Sequence, residues 1–328
     1  MHASRRLLSI TALAALATIA SGAAWSQAVF PSKPLVYVVP YAPGGAADVF
    51  ARQLGERLGA RLGQNVVIEN RAGANGNIGS ASILRAPADG HVLLLGTAST
   101  IAINPHLYGA AMPYDTVKDL QAVSGTHAMV NVLVVNADAP YKNIKDVIAA
   151  AKAKPGSLAY ASAGNGNTMH IAGEQFRMQA GIDLLHVPYK GGAPAMNDVL
   201  SGQVPMMFNN LPAVLPLVRA GKLRALAVAS PKRSALLPDV PTMQEAGLPG
   251  YESTVWNGIF VRAGTPPAVV ERLSREIAGA LAEPALRQSF EAQGFDIIPS
   301  TPAQFADLVR VELRRYQDIV QRSGAKVD

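Results

Sequence analysis

The sequence predicts an α/β protein of two domains, joined by two crossing strands, with a cleft between them. Three observations carry this. Short apolar, strand-like runs alternate with helical patterns along most of the chain, as in parallel sheets with crossover helices. The length, 328 residues, suits two domains. Two β-rich stretches, Leu120–Val135 and Thr254–Val261, bracket the second alternating set, so the chain leaves the first set and returns to it.

The elements follow in order. Leu35–Val39 (LVYVV) is a continuous apolar run, as expected of a strand covered on both faces. Ala46–Leu62 reads as a helix with Phe50, Leu54, Leu58 and Leu62 on one face. Asp48 falls in its first turn, where a carboxylate complements the helix dipole and can cap backbone amides. Asn65–Glu69 is a second strand, and the Gly-rich Arg71–Gly79 leads into a short helix ending before Pro87. Val92–Gly96 is a third strand. Ala98–Pro113 is less regular, with Asn104-Pro105 and Met112-Pro113 as loop punctuation. Leu120–Val135 has the length for two strands and a crossing.

The second set runs helix Asn143–Lys154, strand Leu158–Ser162, helix Asn167–Ala180, strand Leu184–Val187, helix Ala193–Ser201, strand Val204–Phe208, helix Pro212–Ala220 and strand Leu223–Ala229. Beyond the Pro- and Gly-rich Leu236–Pro249 lie strand Thr254–Val261, helices Pro267–Ala282 and Pro284–Ala292, a short strand Phe295–Ile298 and a terminal amphipathic helix Pro302–Arg322. The expected division is therefore 29–130 with 254–328 as one domain and 131–253 as the other. Two crossings make a hinge, and the βα turns of both domains then face one cleft.

Residues 1–26 have the pattern of a secretory signal: Arg5 and Arg6, the apolar Leu7–Ala20, then small residues with cleavage expected between Ser26 and Ala28. The apolar run is too short for a comfortable membrane span. Removing this segment lowers the formal net charge of +6 by two, to about +4. No Lys/Arg block interleaved with aromatics is present, so a nucleic-acid partner is not expected. The absence of cysteine excludes disulfides and thiol chemistry.

The chemistry-bearing motifs point away from catalysis. The sequence holds no phosphate loop, no G-x-S-x-G elbow and no H-E-x-x-H. Three glycines in Arg71–Gly79 lack dinucleotide spacing. His170 and Glu174 stand four apart on a helix but find no third metal ligand, and Ser162 has no base–orienter pair. No enzyme activity, metal or cofactor is expected.

What the sequence offers instead is backbone donors. The turns Tyr41–Asp48 (YAPGGAAD) and Tyr160–Thr168 (YASAGNGNT) each follow a strand and open a helix, and neither holds Lys or Arg. Facing each other, they can hold a carboxylate on main-chain N–H groups and helix dipoles. The candidate contacts are Tyr41, Pro43, Gly44, Gly45 and Asp48 from the first, and Ser162, Ala163, Gly164, Asn165, Asn167, Thr168 and His170 from the second. A third turn supplies Tyr189 and Gly191, and Phe208-Asn209-Asn210 supplies Asn209.

Six strings in order carry a family resemblance: PSKPLVYVVPYAPGGAAD, VVIENRAGANGNIG, HVPYKGGAPAMNDVLSGQV, GKLRALAVAS, LLPDVPTMQEAGLPGYE and the ending SGAKVD. The chain resembles the Bug family, periplasmic solute-binding components of tripartite tricarboxylate transporters. The resemblance implies a two-lobed, periplasmic-binding-protein-like fold that closes on a small organic carboxylate and delivers it to membrane permease subunits. It also implies a monomer in the periplasm. A sensor of the same fold, signalling instead of transporting, is the alternative. In the family, the loops matching Pro43–Gly45 and Ser162–Thr168 help hold a ligand carboxylate, and the loop matching Phe208–Asn210 usually reads Phe-Asp-Asn. Asn209 removes a negative charge that an ammonium would pair with. Dicarboxylates, tricarboxylates, aromatic acids and amino acids all remain open as ligands.

Overall fold

The computed structural model describes residues 30–323; the signal segment and the last residues of SGAKVD lie outside the described residues. Strand β1 (Leu35–Val39) pairs in parallel with β2 (Val66–Asn70) and β3 (Val92–Thr97). Between β1 and β2 runs helix α1 (Ala46–Leu62), whose Phe50, Leu54 and Leu58 are fully buried, as the 3.6-residue period requires. Gly63 ends it in the left-handed region at φ 69°, closing the helix with an N–H bond to the Gly59 carbonyl. Phe50 stacks on Phe290 at 4.5 Å, tying α1 to helix α9 (Pro284–Gln293). Burial of each such side chain contributes about 1.5–3 kcal/mol.

The Gly-rich Arg71–Gly79 becomes a short helical turn and helix α2 (Asn77–Ser82). Its glycines serve close packing: a Cβ on Gly79 would lie 2.5 Å from the Arg71 carbonyl oxygen and 2.8 Å from the Pro40 Cα. Ala98–Pro113 is more regular than its punctuation suggests. It forms a π turn (Ser99–Ile103) and helix α3 (Asn104–Tyr108), because Thr97 and Thr100 bond each other's backbone and side chains and wind the chain tightly after β3.

Leu120–Asn136 is a single strand, β4, of 17 residues, not two. Register shifts at Ala122/Ser124 and Gly125/His127 absorb its polar middle without ending it. Its first part, Leu120–Val130, pairs antiparallel with β9 (Thr254–Arg262), which also pairs with β3. From Asn131 onward it pairs with β7 (Met206–Asn210) and β8 (Leu223–Val228). The sheet is thus mixed, with antiparallel strands where the chain crosses.

The middle of the chain contributes α4 (Ile144–Ala153), opened by a capping box in which Asn143 and Asp146 bond each other's backbone N–H. Then come β5 (Ala159–Ser162), α5 (Thr168–Ala180), β6 (Leu185–Pro188), α6 (Gly192–Leu200) and α7 (Leu211–Arg219). β5 lies parallel between β6 and β7. One apolar core cluster spans Val132 to Tyr251. Helix α8 (Pro267–Leu281), the two-residue strand β10 (Asp296–Ile297) and helix α10 (Pro302–Ser323) return to the first sheet region. Trp256 and Tyr251 are core side chains, bonded to the Glu312 carboxylate at 2.9 Å and the Ala172 carbonyl at 2.6 Å.

The two crossings lie side by side. The Asn131 N–H donates to the Ser253 carbonyl at 3.1 Å, its Nδ2 to Ser253 Oγ at 2.8 Å, and its carbonyl accepts from Ala229. No described helix is long and apolar enough to cross a membrane.

Candidate functional site

The turn after β1 is held from below. Asp48, buried in the first turn of α1, accepts the Gly44 N–H at 2.9 Å and is paired with Arg52 at 3.0 Å. Burial alone would raise the Asp48 carboxyl, but the Arg52 and Gly44 hydrogen bonds outweigh it and hold the group below its ordinary value. Arg52 also reaches Asn70, whose amide donates to the Tyr41 carbonyl at 3.1 Å. Asp48 and Gly44 therefore satisfy each other, and what the turn presents outward is Gly45 and the first amides of α1, Ala46 and Ala47. Helix geometry leaves such amides without an intrahelical acceptor and gives them a partial positive charge.

The turn after β5 is built differently. Ser162 Oγ accepts the Gly164 N–H at 3.2 Å and meets His186 Nε2 at 2.6 Å. Gly166 N–H donates to His170 Nδ1 at 3.0 Å, Asn167 N–H to the Gly164 carbonyl, and Met169 N–H to the Asn167 side chain that caps α5. Thr168 N–H crosses to Ser99 Oγ at 3.1 Å. His170 stacks on His186 at 3.8 Å, and burial, followed by the Arg177 charge, pushes it down to about 4, so it is a neutral acceptor.

Between these turns lies a cavity of about 40 Å³, room for a few water-sized groups. Gly45, Ala46 and Ala47 line one side, and Ala163, Asn167, Thr168 and Met169 the other. Thr97, Ser99, Asn209, Asn210 and Asn257 add hydroxyls and amides, while Met129 and Val255 add apolar surface. Tyr41 also lines it, its hydroxyl 3.1 Å from Thr97 Oγ1 and kept protonated by burial. No Lys, Arg, Asp, Glu or His is among its described lining residues. The two sides nearly touch: a Cβ on Gly191 would lie 3.3 Å from Ala42, and one on Gly166 would collide with Leu107.

A sequence model for the tripartite tricarboxylate transporter family receptor matches residues 50–325. The chain belongs to this receptor family. Three solved structures show what it is similar to. The periplasmic binding protein BugD has TM-score 0.87 at 32% identity, over 90% of this chain and 99% of that one. A Rhodopseudomonas palustris protein with adipate has TM-score 0.87 at 33% identity, over 91% and 100%. MatC from Rhodopseudomonas palustris with bound malate has TM-score 0.84 at 30% identity, over 89% and 100%. The resemblance to the Bug family and the two-lobed periplasmic-binding-protein fold are thereby shown, and the tripartite tricarboxylate transporter receptors are solute-binding proteins, not enzymes.

In this receptor the expected site residues separate into two groups. Tyr41, Gly45, Ala163, Asn167, Thr168 and Asn209 line the cavity. Pro43, Gly44, Asp48, Ser162, Gly164, Asn165, His170, Tyr189 and Gly191 are not among its lining residues. The Tyr189 hydroxyl donates to Asp198 on α6, and Lys190 is exposed. His170 Nε2 lies 4.0 Å from Glu174, and no cluster of three metal-ligating side chains occurs among the described residues.

Sequence reading missed Thr97, Ser99 and Asn257; Asn210, which the Phe208–Asn210 stretch offers beside Asn209, lines the cavity too. Ser99 lies in the less regular stretch Ala98–Pro113, where no strand or helix pattern points to it. Asn257 carried a signal, an amide of low strand propensity in the middle of an apolar strand.

Proposed function

We propose that this receptor captures a small organic carboxylate between its two lobes in the periplasm and delivers it to the permease subunits of a tripartite tricarboxylate-type transporter. The observation that carries the reading is the cavity itself. The N-terminus of α1 aims amide donors into a chamber of hydroxyls and carboxamides that has no charged side chain among its described lining. A helix N-terminus with neutral donors favours an anion without a buried counter-charge. The same lining argues against amino acids, because an ammonium group finds no carboxylate there: Asn209 stands where an aspartate would serve, and Asp48 is turned away to Arg52. The adipate and malate in its structural neighbours are small carboxylates of this kind.

The lobes we assign are 29–130 with 254–328, and 131–253. In support, β4 changes partners between Val130 and Asn131, and the core cluster of the middle segment begins at Val132 and ends at Tyr251. Ligand contacts from both lobes exist only when the cleft is closed, so the acid shifts the population toward that form. Gly45, Ala46 and Ala47 at the start of α1 are the donors we assign to the carboxylate, with Tyr41, Ser99, Asn167, Thr168 and Asn209 around it. The protein acts as a monomer after removal of residues 1–26.

The test is thermal unfolding of ligand-stripped mature protein against organic acids, their amides and methyl esters, amino acids and sugars. An acid at about 100 times its Kd adds roughly 2.7 kcal/mol of stability. A shift with acids and none with their amides or esters is expected; shifts with sugars alone would overturn the reading.

A further inference from the structure

Asn257 stands apart from every other polar group in the cavity wall. It lies on the crossing strand β9, opposite Thr97 of β3 and His127 of β4, and is 1% exposed. Both its Oδ1 and its Nδ2 lack a hydrogen-bond partner among the described residues. The strand places it two residues from Val255, and both line the cavity. Buried side-chain amides in native proteins are nearly always hydrogen-bonded, so a partner has to arrive from the chamber.

The chemistry of that partner is constrained. A carboxamide presents a donor and an acceptor in one plane, and this holds whichever way the amide is turned. A carboxylate only accepts, so against Asn257 it satisfies Nδ2 and sets its lone pairs against those of Oδ1. A hydroxyl both accepts from Nδ2 and donates to Oδ1. The carboxylate end of the ligand already has its donors at the N-terminus of α1, in the same cavity.

We propose that Asn257 is a specificity-determining residue that selects a hydroxylated carboxylic acid over its unsubstituted counterpart. The inference rests on the carboxylate reading and deepens it. A site built to hydrogen-bond a hydroxyl rejects the analogue that lacks it, because the buried amide is then left unpaired.

The experiment is titration calorimetry of the ligand-stripped mature protein with matched pairs: malate against succinate, 2-hydroxyglutarate against glutarate, and citrate against tricarballylate. In at least one pair the hydroxy acid binds the wild type roughly ten- to a hundredfold more tightly. Asn257→Leu, close in volume, collapses that ratio toward one. Equal binding within every pair that binds overturns the proposal, because a water then serves Asn257 as well as the hydroxyl does. Retention of the full ratio in Asn257→Leu also overturns it. If that variant fails to fold, the wild-type ratio decides: roughly ten- to a hundredfold in at least one pair supports the proposal, and a ratio near one in every pair overturns it. If no acid of any pair binds, the thermal-unfolding panel decides: a shift with another acid keeps the carboxylate reading and overturns this inference, and no shift with any acid overturns both.

Discussion

The two glycine turns look alike in sequence and are built in opposite ways. The turn of Gly44 and Gly45 ties down one amide, through Asp48, and leaves the start of α1 facing the cavity. The turn from Ser162 to Thr168 consumes its amides on Ser162, His170, Asn167 and Ser99, and presents side chains and carbon to the same space. One turn is an anion cradle; the other is a rigid wall. At Gly45, where φ is −82°, glycine serves because a side chain would fill the cavity; at Gly44 in the same turn, and at Gly164 and Gly166 in the second, it serves because the backbone has positive φ.

That contrast is sharpest in two substitutions. Gly45 has φ −82°, and an added Cβ meets nothing within 4 Å, so the fold accepts a side chain there. Gly45→Val should place its methyls in the cavity and weaken acid binding by more than a hundredfold, about 3 kcal/mol. The cap position should cost no more than about 1 kcal/mol in stability. Calorimetry and a melting curve on one sample check both, and unchanged affinity would break the assignment of this turn as the cradle. Gly164 has φ +137°, and its Cβ would lie 3.2 Å from the Tyr189 carbonyl oxygen. Gly164→Val should instead lose about 1–3 kcal/mol in urea unfolding before any ligand is added. A variant as stable as wild type that fails to bind would show that this turn too contacts ligand through Gly164.

How much of this was legible in sequence follows from the range of the forces involved. Helix Ala46–Leu62 could be read to the residue, because its apolar period and its flanking Gly45 and Gly63 are all local. The single strand Leu120–Asn136 could not: Ser124, Gly125 and Thr126 look like a break, and only pairing with the distant β9 carries the strand through them. The same holds for the site. Gly45, Asn167 and Thr168 announce themselves as strand–turn–helix junctions. Whether the amides of such a junction are free is decided by partners such as Ser99 and His186, which sequence does not align with them. Asn257 reaches the cavity only because β9 lies beside β3.

The smallest expected effect separates the turns by pH. Gly166 N–H depends on a neutral His170, which burial and Arg177 push down to about 4 from the ordinary 6.5. Glu174 lies 4.0 Å from the other ring nitrogen and His186 stacks on the ring face. Between pH 6.5 and pH 4 the unfolded chain binds a proton that the folded protein does not. Stability from this group is therefore complete above about pH 6.5 and falls as pH falls. Buried His127, pushed down to about 3 by burial, acts in the same direction. Each should cost about 1 kcal/mol between pH 6 and pH 5. His170→Asn keeps an acceptor near Nδ1 and removes one titration, so urea unfolding across this range should show about half the wild-type slope. The cradle turn has no histidine, and Arg52 and Gly44 hold its Asp48 below the ordinary carboxyl value, so acid binding by the folded protein, corrected for titration of the ligand's own carboxyls, should stay level over the same range. An affinity that tracks the stability loss would mean that the wall, not the cradle, holds the charge.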